Sequence, residues 1–201
     1  MATCLTFDKG EMIFHERDEA NGFYMVEKGK IKVFKLSVEG KEQILHIDGP
    51  GHTVGEVPVF EGKNFPASSM ALEKSKITYL PRYKFVDLIT QTPGLALNIL
   101  ADLSMRLRDF TIQIENLSLK EVPARLAAYI LTLSKEQRNK TRVTLPISKA
   151  QLSNLIGTTP ETISRILKKM MDAEYIDVQT KIIHIKNIQG LMELSESGSL
   201  A

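Results

Sequence analysis

The sequence has little cysteine, no tryptophan and no long apolar run. Cys4 is the only cysteine, which excludes an intramolecular disulfide and an iron–sulfur cluster held by four cysteines of one chain. No run of about eighteen apolar residues is present, so a membrane-spanning helix is not expected. The first residues lack the basic and apolar regions of a secretory signal peptide, which predicts a cytoplasmic protein.

What the sequence does have is enough apolar residues for two modest cores, and an uneven charge. Its 201 residues are 43% hydrophobic, which suffices for two domains. From position 119 onward, twelve Lys and Arg stand against eight Asp and Glu, a net charge of +4, whereas residues 1–118 carry −2. A basic C-terminal part favours contact with nucleic-acid phosphates.

Residues 147–171 predict two short helices joined at a glycine. Ser148 and Gln151 have the spacing of a capping box, so the first helix should begin near position 149. Gly157 should end this helix, because a residue without a Cβ atom readily takes the left-handed conformation of a tight turn.

The second helix of this pair has one polar and one apolar face. Thr159 is its expected N-cap, with Pro160 at the first helical position, although a capping box from Thr158 to Glu161 fits as well. The polar face carries Glu161, Ser164, Arg165 and Lys168, and the opposite face carries Ile163, Ile166, Leu167 and Met170. A helix that is buried on one side and offers Glu, Ser and Arg on the other suits DNA base reading. The alternative is an ordinary helical hairpin with a solvated polar face.

The neighbouring segments favour DNA binding. Residues 174–178 and 181–186 predict two short strands around a turn at 179–180, with Ile183 and Ile185 facing the core. A supporting helix is expected at 122–133 and a short strand at 142–145. A helix–turn–helix with a β-hairpin behind it is a winged helix.

The N-terminal third reads as all-β. Strands are predicted at residues 12–15, 23–27, 31–36, 43–47 and 77–81, with a hairpin tip at 39–41. Many short strands at this spacing indicate a sandwich or barrel, whose mouth often holds one ligand.

A long helix is predicted at about residues 95–118. Its apolar residues alternate steps of three and four, at Leu100, Leu103, Leu107, Phe110, Ile114 and Leu117. This stripe predicts the seam of a parallel homodimer, and the alternative is a helix packed on its own domain. A hinge is expected at 116–121, and the tail at 195–201 is expected to be disordered.

Together these motifs resemble the Crp/Fnr superfamily of bacterial transcription regulators. The resemblance rests on Gly55-Glu56 and the glycine pattern of the N-terminal part, on Arg125-Leu126-Ala127, and on the run IGTTPETISR at residues 156–165. It implies an α+β fold with a β-roll (cyclic-nucleotide-binding-like) at 1–94, a dimerisation helix and hinge at 95–120, and a winged helix–turn–helix at 121–194. The family usually has another helical turn or two before the first strand, which this sequence lacks.

The resemblance implies how DNA is read. Glu161, Ser164 and Arg165 match the E-x-x-S-R pattern of the Fnr-like branch, whereas the catabolite-activator branch has Gly at position 164 and Arg at position 160. Arg165 can contact guanine O6 and N7, Glu161 can accept from a cytosine amino group, and Ser164 can touch a thymine. A palindrome with TTGA-like half-sites is therefore expected, read by two subunits. The expected DNA-binding residues are Glu161, Ser164, Arg165, Thr159, Thr162, Lys168, Lys169 and Ser148. The implied partners are double-stranded DNA, RNA polymerase and a second copy of the chain.

The effector is less well specified. A redox or nitric-oxide signal, or another effector, is expected at the junction of the β-roll and the dimerisation helix. The expected pocket residues are Gly55, Glu56, Pro66, Ala67, Ser68, Phe110 and Thr111. Cyclic-AMP binders of the family have an Arg-Ser pair where Pro66-Ala67 stands, and a Thr where Phe110 stands. Proline offers neither charge nor N–H to a phosphate, so cyclic-AMP control is not expected, and a cyclic-AMP-responsive regulator of the same fold remains the alternative.

Histidines allow two further hypotheses. The Phe-Pro-Ala-Ser run resembles members that respond to nitric oxide or redox stress, some through haem, for which His15, His46 or His52 could be an axial ligand. A constitutive regulator without a ligand is also open. His46, His52 and Glu56 faintly resemble the ligand set of a metal-dependent cupin enzyme but lack the H-x-H spacing. No nucleophile–base constellation is evident, so neither enzymatic activity nor a metal site is expected.

Overall fold

Short strands joined by glycine-containing turns form the N-terminal part of the structure, a computed structural model that describes residues 2–197. The strands are β1 (Thr3–Phe7), β2 (Met12–Phe14), β3 (Gly22–Lys28), β4 (Ile31–Leu36), β5 (Glu42–Asp48), β6 (Thr53–Val54), β7 (Ser68–Ala71) and β8 (Ser75–Pro81). They form two antiparallel four-stranded sheets, with strand orders β1-β8-β3-β6 and β2-β7-β4-β5.

Apolar side chains of both sheets form the core of this β-roll. Val26 and Ile77 from one sheet meet Ile31 and Ala71 from the other, and all four are almost fully buried. The apolar side chains of the two sheets thus pack against each other in the interior of the β-roll.

Two helices cover one end of the β-roll. The short helix α1 (Val57–Glu61) and the helix α2 (Arg82–Gln91) contribute Val59 and Phe85 to a second apolar cluster with Phe23. The rings of Phe23 and Phe85 lie edge to face with centroids 4.9 Å apart, a favourable arrangement for aromatic pairs.

The five predicted strands are confirmed to within two residues at each end. Sequence reasoning missed β1, β6 and β7, and it missed α1 and α2. Strand β7 begins within the Phe-Pro-Ala-Ser run, where it pairs with both β2 and β4.

The helix α3 (Pro93–Leu119) follows, and a division between two compact units falls within it, after Ser104. The second unit continues with α4 (Val122–Glu136), β9 (Arg142–Thr144), α5 (Lys149–Ile156), α6 (Pro160–Asp172), β10 (Ile176–Gln179), β11 (Ile182–Ile185) and α7 (Ile188–Ser197). Its antiparallel sheet has the order β10-β11-β9. Within residues 2–197, every helix is too short or too polar to cross a lipid bilayer.

The tail prediction was wrong for its first residues. Residues 195–201 were expected to be disordered, but α7 continues through Ser197. Leu191 and Leu194 are buried, and α7 packs on α4, so the helix is held by tertiary contacts that its polar composition does not reveal. Residues 198–201 lie outside the described part of the chain.

Candidate nucleic-acid interface

The helix α5 begins with the predicted capping box. The backbone N–H of Gln151 donates to Ser148 Oγ at 3.2 Å, and the backbone N–H of Ser148 donates to Gln151 Oε1 at 2.9 Å. Two amide groups that the helix leaves unpaired are satisfied in this way. On the inner side, Leu152 and Ser153 are fully buried.

Gly157 makes the turn between α5 and α6. Its φ of 78° and ψ of 46° are left-handed, a conformation that costs glycine far less than other residues. The backbone N–H groups of Gly157 and Thr158 both donate to the carbonyl of Ser153 at 2.9 Å. The chain thereby reverses into α6 within a few residues.

The helix α6 starts at Pro160 with Thr159 as its N-cap. Thr159 Oγ1 accepts from the backbone N–H of Thr162 at 3.3 Å. This confirms Thr159 rather than Thr158 as the capping residue. The hydrogen bond also satisfies the backbone N–H of Thr162 at the start of the helix.

One face of α6 is buried and the opposite face is exposed. Ile163, Ile166, Leu167 and Met170 are buried, as predicted, and their packing fixes the rotation of the helix. Exposed positions are occupied by Glu161, Ser164, Arg165, Lys168 and Lys169. We call these five residues the α6 outer face.

The charged groups of the α6 outer face are available to a partner. Glu161 and Arg165 are one helical turn apart, a spacing at which opposite charges often pair. Within residues 2–197, however, neither these two nor Lys168 and Lys169 form an ion pair.

The hydroxyl group of Ser164 donates a hydrogen bond to the backbone of its own helix. Its Oγ donates to the carbonyl of Pro160 at 3.0 Å, the back-bonding that serine often shows in helices. In this rotamer Ser164 offers lone pairs to a partner, but not a proton.

A cleft beside the α6 outer face involves residues that sequence reasoning missed. It has a volume of about 530 Å³ and is lined by Glu121, Val122, Pro123, Arg125, Thr162, Arg165, Ile166 and Lys169. The start of α4 therefore lies next to the cations of α6. Proline at the second position of the predicted helix 122–133 marked this start, but nothing local indicated what lies beside it.

Arg125 joins α4 to the helix–turn–helix. Its Nη1 donates to the carbonyl of Ile156 at 2.8 Å, at the last residue of α5. Burial lowers the pKa of the Arg125 guanidinium, whose Nε is buried without a hydrogen-bond partner.

The predicted wing is present, displaced by one or two residues. The turn between β10 and β11 contains Thr180, with a φ of 57°, and the exposed Lys181. Ile183 and Ile185 are buried, as predicted. On the outer side His184 lies between Asp177 of β10 and Arg142 of β9 in the sheet register.

The predicted effector residues are divided between the two units. Gly55, Glu56, Pro66, Ala67 and Ser68 belong to the β-roll, and Phe110 and Thr111 lie on the α3 segment after Ser104. A Cβ atom at Gly55 would lie 2.7 Å from the ring of Phe65. Glu56 and Ala67 are buried, while Pro66 is exposed.

A cation beside Pro66 is already engaged. Lys35 Nζ donates to the carbonyl of Pro66 at 3.0 Å and to Glu16 Oε1 at 2.6 Å. Glu16 therefore neutralises the charge that a cyclic phosphate at this position would need.

The histidines lie beside carboxylates. His46 Nε2 is 3.2 Å from Asp48 Oδ2, His52 Nδ1 is 4.0 Å from Asp48 Oδ1, and His15 Nδ1 is 3.5 Å from Asp18 Oδ2. Within residues 2–197, no group of three or more His, Cys, Asp or Glu side chains has the arrangement of a metal site. Among these described residues, His46, His52 and Glu56 therefore do not have the arrangement of a metal-ligand set.

The stripe on α3 is largely exposed. Leu100, Leu107, Phe110, Ile114 and Leu117 have between 37% and 68% of their surface accessible, and none of the residues of α3 is buried. Leu103 is half-buried.

Comparisons with known proteins agree with this geometry. The chain matches the family models of the cyclic nucleotide-binding domain at residues 4–92 and of the Crp-like helix-turn-helix domain at residues 124–194. The fumarate and nitrate reduction regulatory protein of Vibrio cholerae serotype O1 is 32% identical over 191 residues, which cover 93% of this chain and 76% of that protein. The chain belongs to the Crp/Fnr family.

Other Crp/Fnr proteins show the range of the similarity. The cyclic AMP receptor protein of Thermus thermophilus is 28% identical over 189 residues, covering 94% of this chain and 86% of the relative. The structure of FixK2 from Bradyrhizobium japonicum shares the fold, with a TM-score of 0.86, 23% identity and full coverage of both chains. Crp/Fnr proteins are transcription regulators with a DNA-binding helix–turn–helix, and they are not enzymes.

Proposed function

We propose that this Crp/Fnr chain acts as a homodimer that reads a palindrome with TTGA-like half-sites. One observation carries the proposal. Glu161, Ser164 and Arg165 stand side by side on the exposed face of α6, while the opposite face anchors the helix in the core. A recognition helix held in this way can enter the major groove with its N-terminal residues at the base edges.

The chemistry of the three side chains suits a G·C pair and its neighbour. Arg165 is free to donate two hydrogen bonds to guanine O6 and N7, and Glu161 can accept from the cytosine amino group. Ser164, with its proton bonded to Pro160, can accept from a base amino group.

Phosphate contacts are expected on either side of these bases. Lys168 and Lys169 extend the cationic surface along α6, and the caps at Ser148 and Thr159 place two helix N-termini nearby. Thr162 and Arg165 line the cleft at the start of α4, which could hold a phosphate of the same strand. Such contacts position the protein but carry no sequence information directly.

The exposed stripe on α3 supports dimerisation. Helices that present apolar residues at alternating steps of three and four bury them against a second such helix. A two-fold axis along this seam would place two α6 helices at half-sites about one DNA turn apart. We further propose that a signal received by the β-roll sets DNA affinity, and that bound dimers contact RNA polymerase.

The central test is the binding of Arg165→Ala to duplex DNA. We expect a loss of about 1–3 kcal/mol on the TTGA palindrome and relaxed selection at its G·C pair, measured by fluorescence anisotropy against a duplex with the half-sites scrambled. Lys135→Ala is the matched control, because Lys135 is an exposed cation at the other end of α4. If Arg165→Ala binds both duplexes as the parent does, base reading by this helix is disproved.

The same anisotropy assay with added cyclic AMP tests the alternative that the chain is a cyclic-AMP-responsive regulator. The engaged cation at Lys35 and the exposed Pro66 favour a roll that does not hold a cyclic phosphate. We therefore expect the operator affinity to be unchanged by cyclic AMP, and a clear rise would favour a cyclic-AMP-responsive regulator.

A further inference from the structure

A second concave site lies within the β-roll, and it shares with the predicted effector residue Gly55 a contact to the Phe65 ring. It is a cavity of about 270 Å³ lined by Leu5, Glu19, Asn21, Gly22, Tyr24, Phe65 and Tyr79. The proposed contact with DNA does not use this cavity.

Aromatic rings form the walls of this cavity. The rings of Tyr24 and Tyr79 have centroids 5.2 Å apart and are inclined at 47° to one another. Phe65, only 4% exposed, is held by a stacked contact with Phe14 at 3.8 Å between centroids.

The absence of a side chain at Gly22 leaves room for the Tyr79 ring. A Cβ atom at Gly22 would lie 2.6 Å from Cε2 of Tyr79, so any other residue would push the ring away. The Tyr79 ring instead lies against the backbone of β3 at Gly22.

The lining has an acidic side chain and no basic one. Glu19 is exposed, and within residues 2–197 its carboxylate has no ion-pair partner. Asp18 adds negative charge nearby: burial raises the pKa of the Tyr24 hydroxyl first, and Tyr79 and Asp18 raise it further. Burial also raises the pKa of the Tyr79 hydroxyl, so both tyrosines remain neutral near neutral pH.

We propose that this cavity binds a small organic cation with an alkylated ammonium group. Aromatic faces carry a negative quadrupole that attracts such cations, and cages of two or three rings are the usual protein site for quaternary ammonium groups. The carboxylate of Glu19 adds a full charge of the matching sign, whereas a phosphate or carboxylate ligand would be repelled. The volume suits a molecule of a few heavy atoms, because pockets for drug-sized ligands begin at about 300 Å³.

Titration calorimetry of the full chain without DNA tests this site independently of the proposed function. The probe is choline, and its control is 3,3-dimethylbutan-1-ol, a neutral molecule of nearly the same shape. We expect saturable choline binding at least about threefold tighter than that of the alcohol, in line with cation–π energies. Equal binding of the two, or no saturable binding of choline, would overturn the proposal.

Substitutions locate the binding. Glu19→Gln and Tyr79→Leu should each weaken choline binding several-fold, while Tyr79→Phe, which keeps the ring face, should bind as the parent does. The controls are Glu73→Gln and Tyr83→Leu, which alter exposed residues outside the lining. If Tyr79→Leu does not fold, the exposed Glu19→Gln decides, because unchanged choline affinity in that variant contradicts the proposed charge.

Discussion

At the scale of single residues, Arg125 connects α4 to the end of α5 in the helix–turn–helix. Its guanidinium joins α4 to the last carbonyl of α5, at a point where burial already disfavours the charge. The sequence motif Arg-Leu-Ala at this position is thus explained by a contact within the protein.

Arg125→Ala should destabilise the C-terminal unit. The Ile156 carbonyl would lose its side-chain donor and the half-buried Arg125 side chain would be truncated, together costing about 1–3 kcal/mol. Urea unfolding followed by circular dichroism measures this change. Lys135→Ala on the same helix is the control, and equal stabilities of the two variants would show that the contact contributes little.

The ion pair between the buried Lys32 and the half-buried Glu42 gives a second residue-scale prediction. Lys32 is 6% exposed, bonds Glu42 across β4 and β5, and lies 4.2 Å from the centre of the Phe34 ring. Glu42→Gln should cost about 1–3 kcal/mol, because it weakens the partner of a buried charge.

The double variant Lys32→Met with Glu42→Leu should recover much of this loss, since the buried charge is then removed altogether. The control is Glu39→Gln at the exposed hairpin tip. If the loss in the double variant equals the sum of the losses measured for Lys32→Met and Glu42→Leu alone, the two residues are not coupled.

At the scale of the element, substitutions of the N-cap residue Ser148 can distinguish its role in helix stability from a role in DNA contact. Ser148→Ala should lower the free energy of unfolding by about 1 kcal/mol, whereas Ser148→Asp keeps a side-chain acceptor at the cap and should retain stability. If Ser148 also faces a phosphate, the added negative charge should nevertheless weaken DNA binding. Thermal unfolding and anisotropy are measured on both variants, and unaltered DNA affinity of Ser148→Asp would remove Ser148 from the interface.

Elements with local signals were predictable from the sequence, and those that depend on distant partners were not. The capping box, the turn glycine and the N-cap of α6 are determined within a few residues. Strand β7, in contrast, exists because it lies between β2 and β4, and α7 because Leu191 and Leu194 are buried. The cleft at the start of α4 could not be predicted either, because the residues of α4 and α6 that line it are far apart in the sequence.

At the scale of the whole molecule, the proposed homodimer rests on the exposed apolar stripe of α3. Ile114→Lys should weaken self-association by at least about tenfold, because it places a charge in an apolar seam. Ile112→Lys is the matched control, since Ile112 lies on the same helix, 48% exposed but outside the stripe. Analytical ultracentrifugation gives the association constants. Equal effects of the two substitutions would show that the stripe on α3 is not the dimer interface.

The internal hydrogen bond of Ser164 has a consequence for modified DNA. Because Ser164 donates its proton to the Pro160 carbonyl, it joins Glu161 as an acceptor, and Arg165 is the donor among the three side chains proposed to read bases. In the proposed base reading, Glu161 and Ser164 both require amino protons of the bases, and methylation of adenine N6 or cytosine N4 removes one such proton from the modified base. A regulator built in this way would distinguish amino-methylated from unmodified operators without any residue dedicated to that purpose.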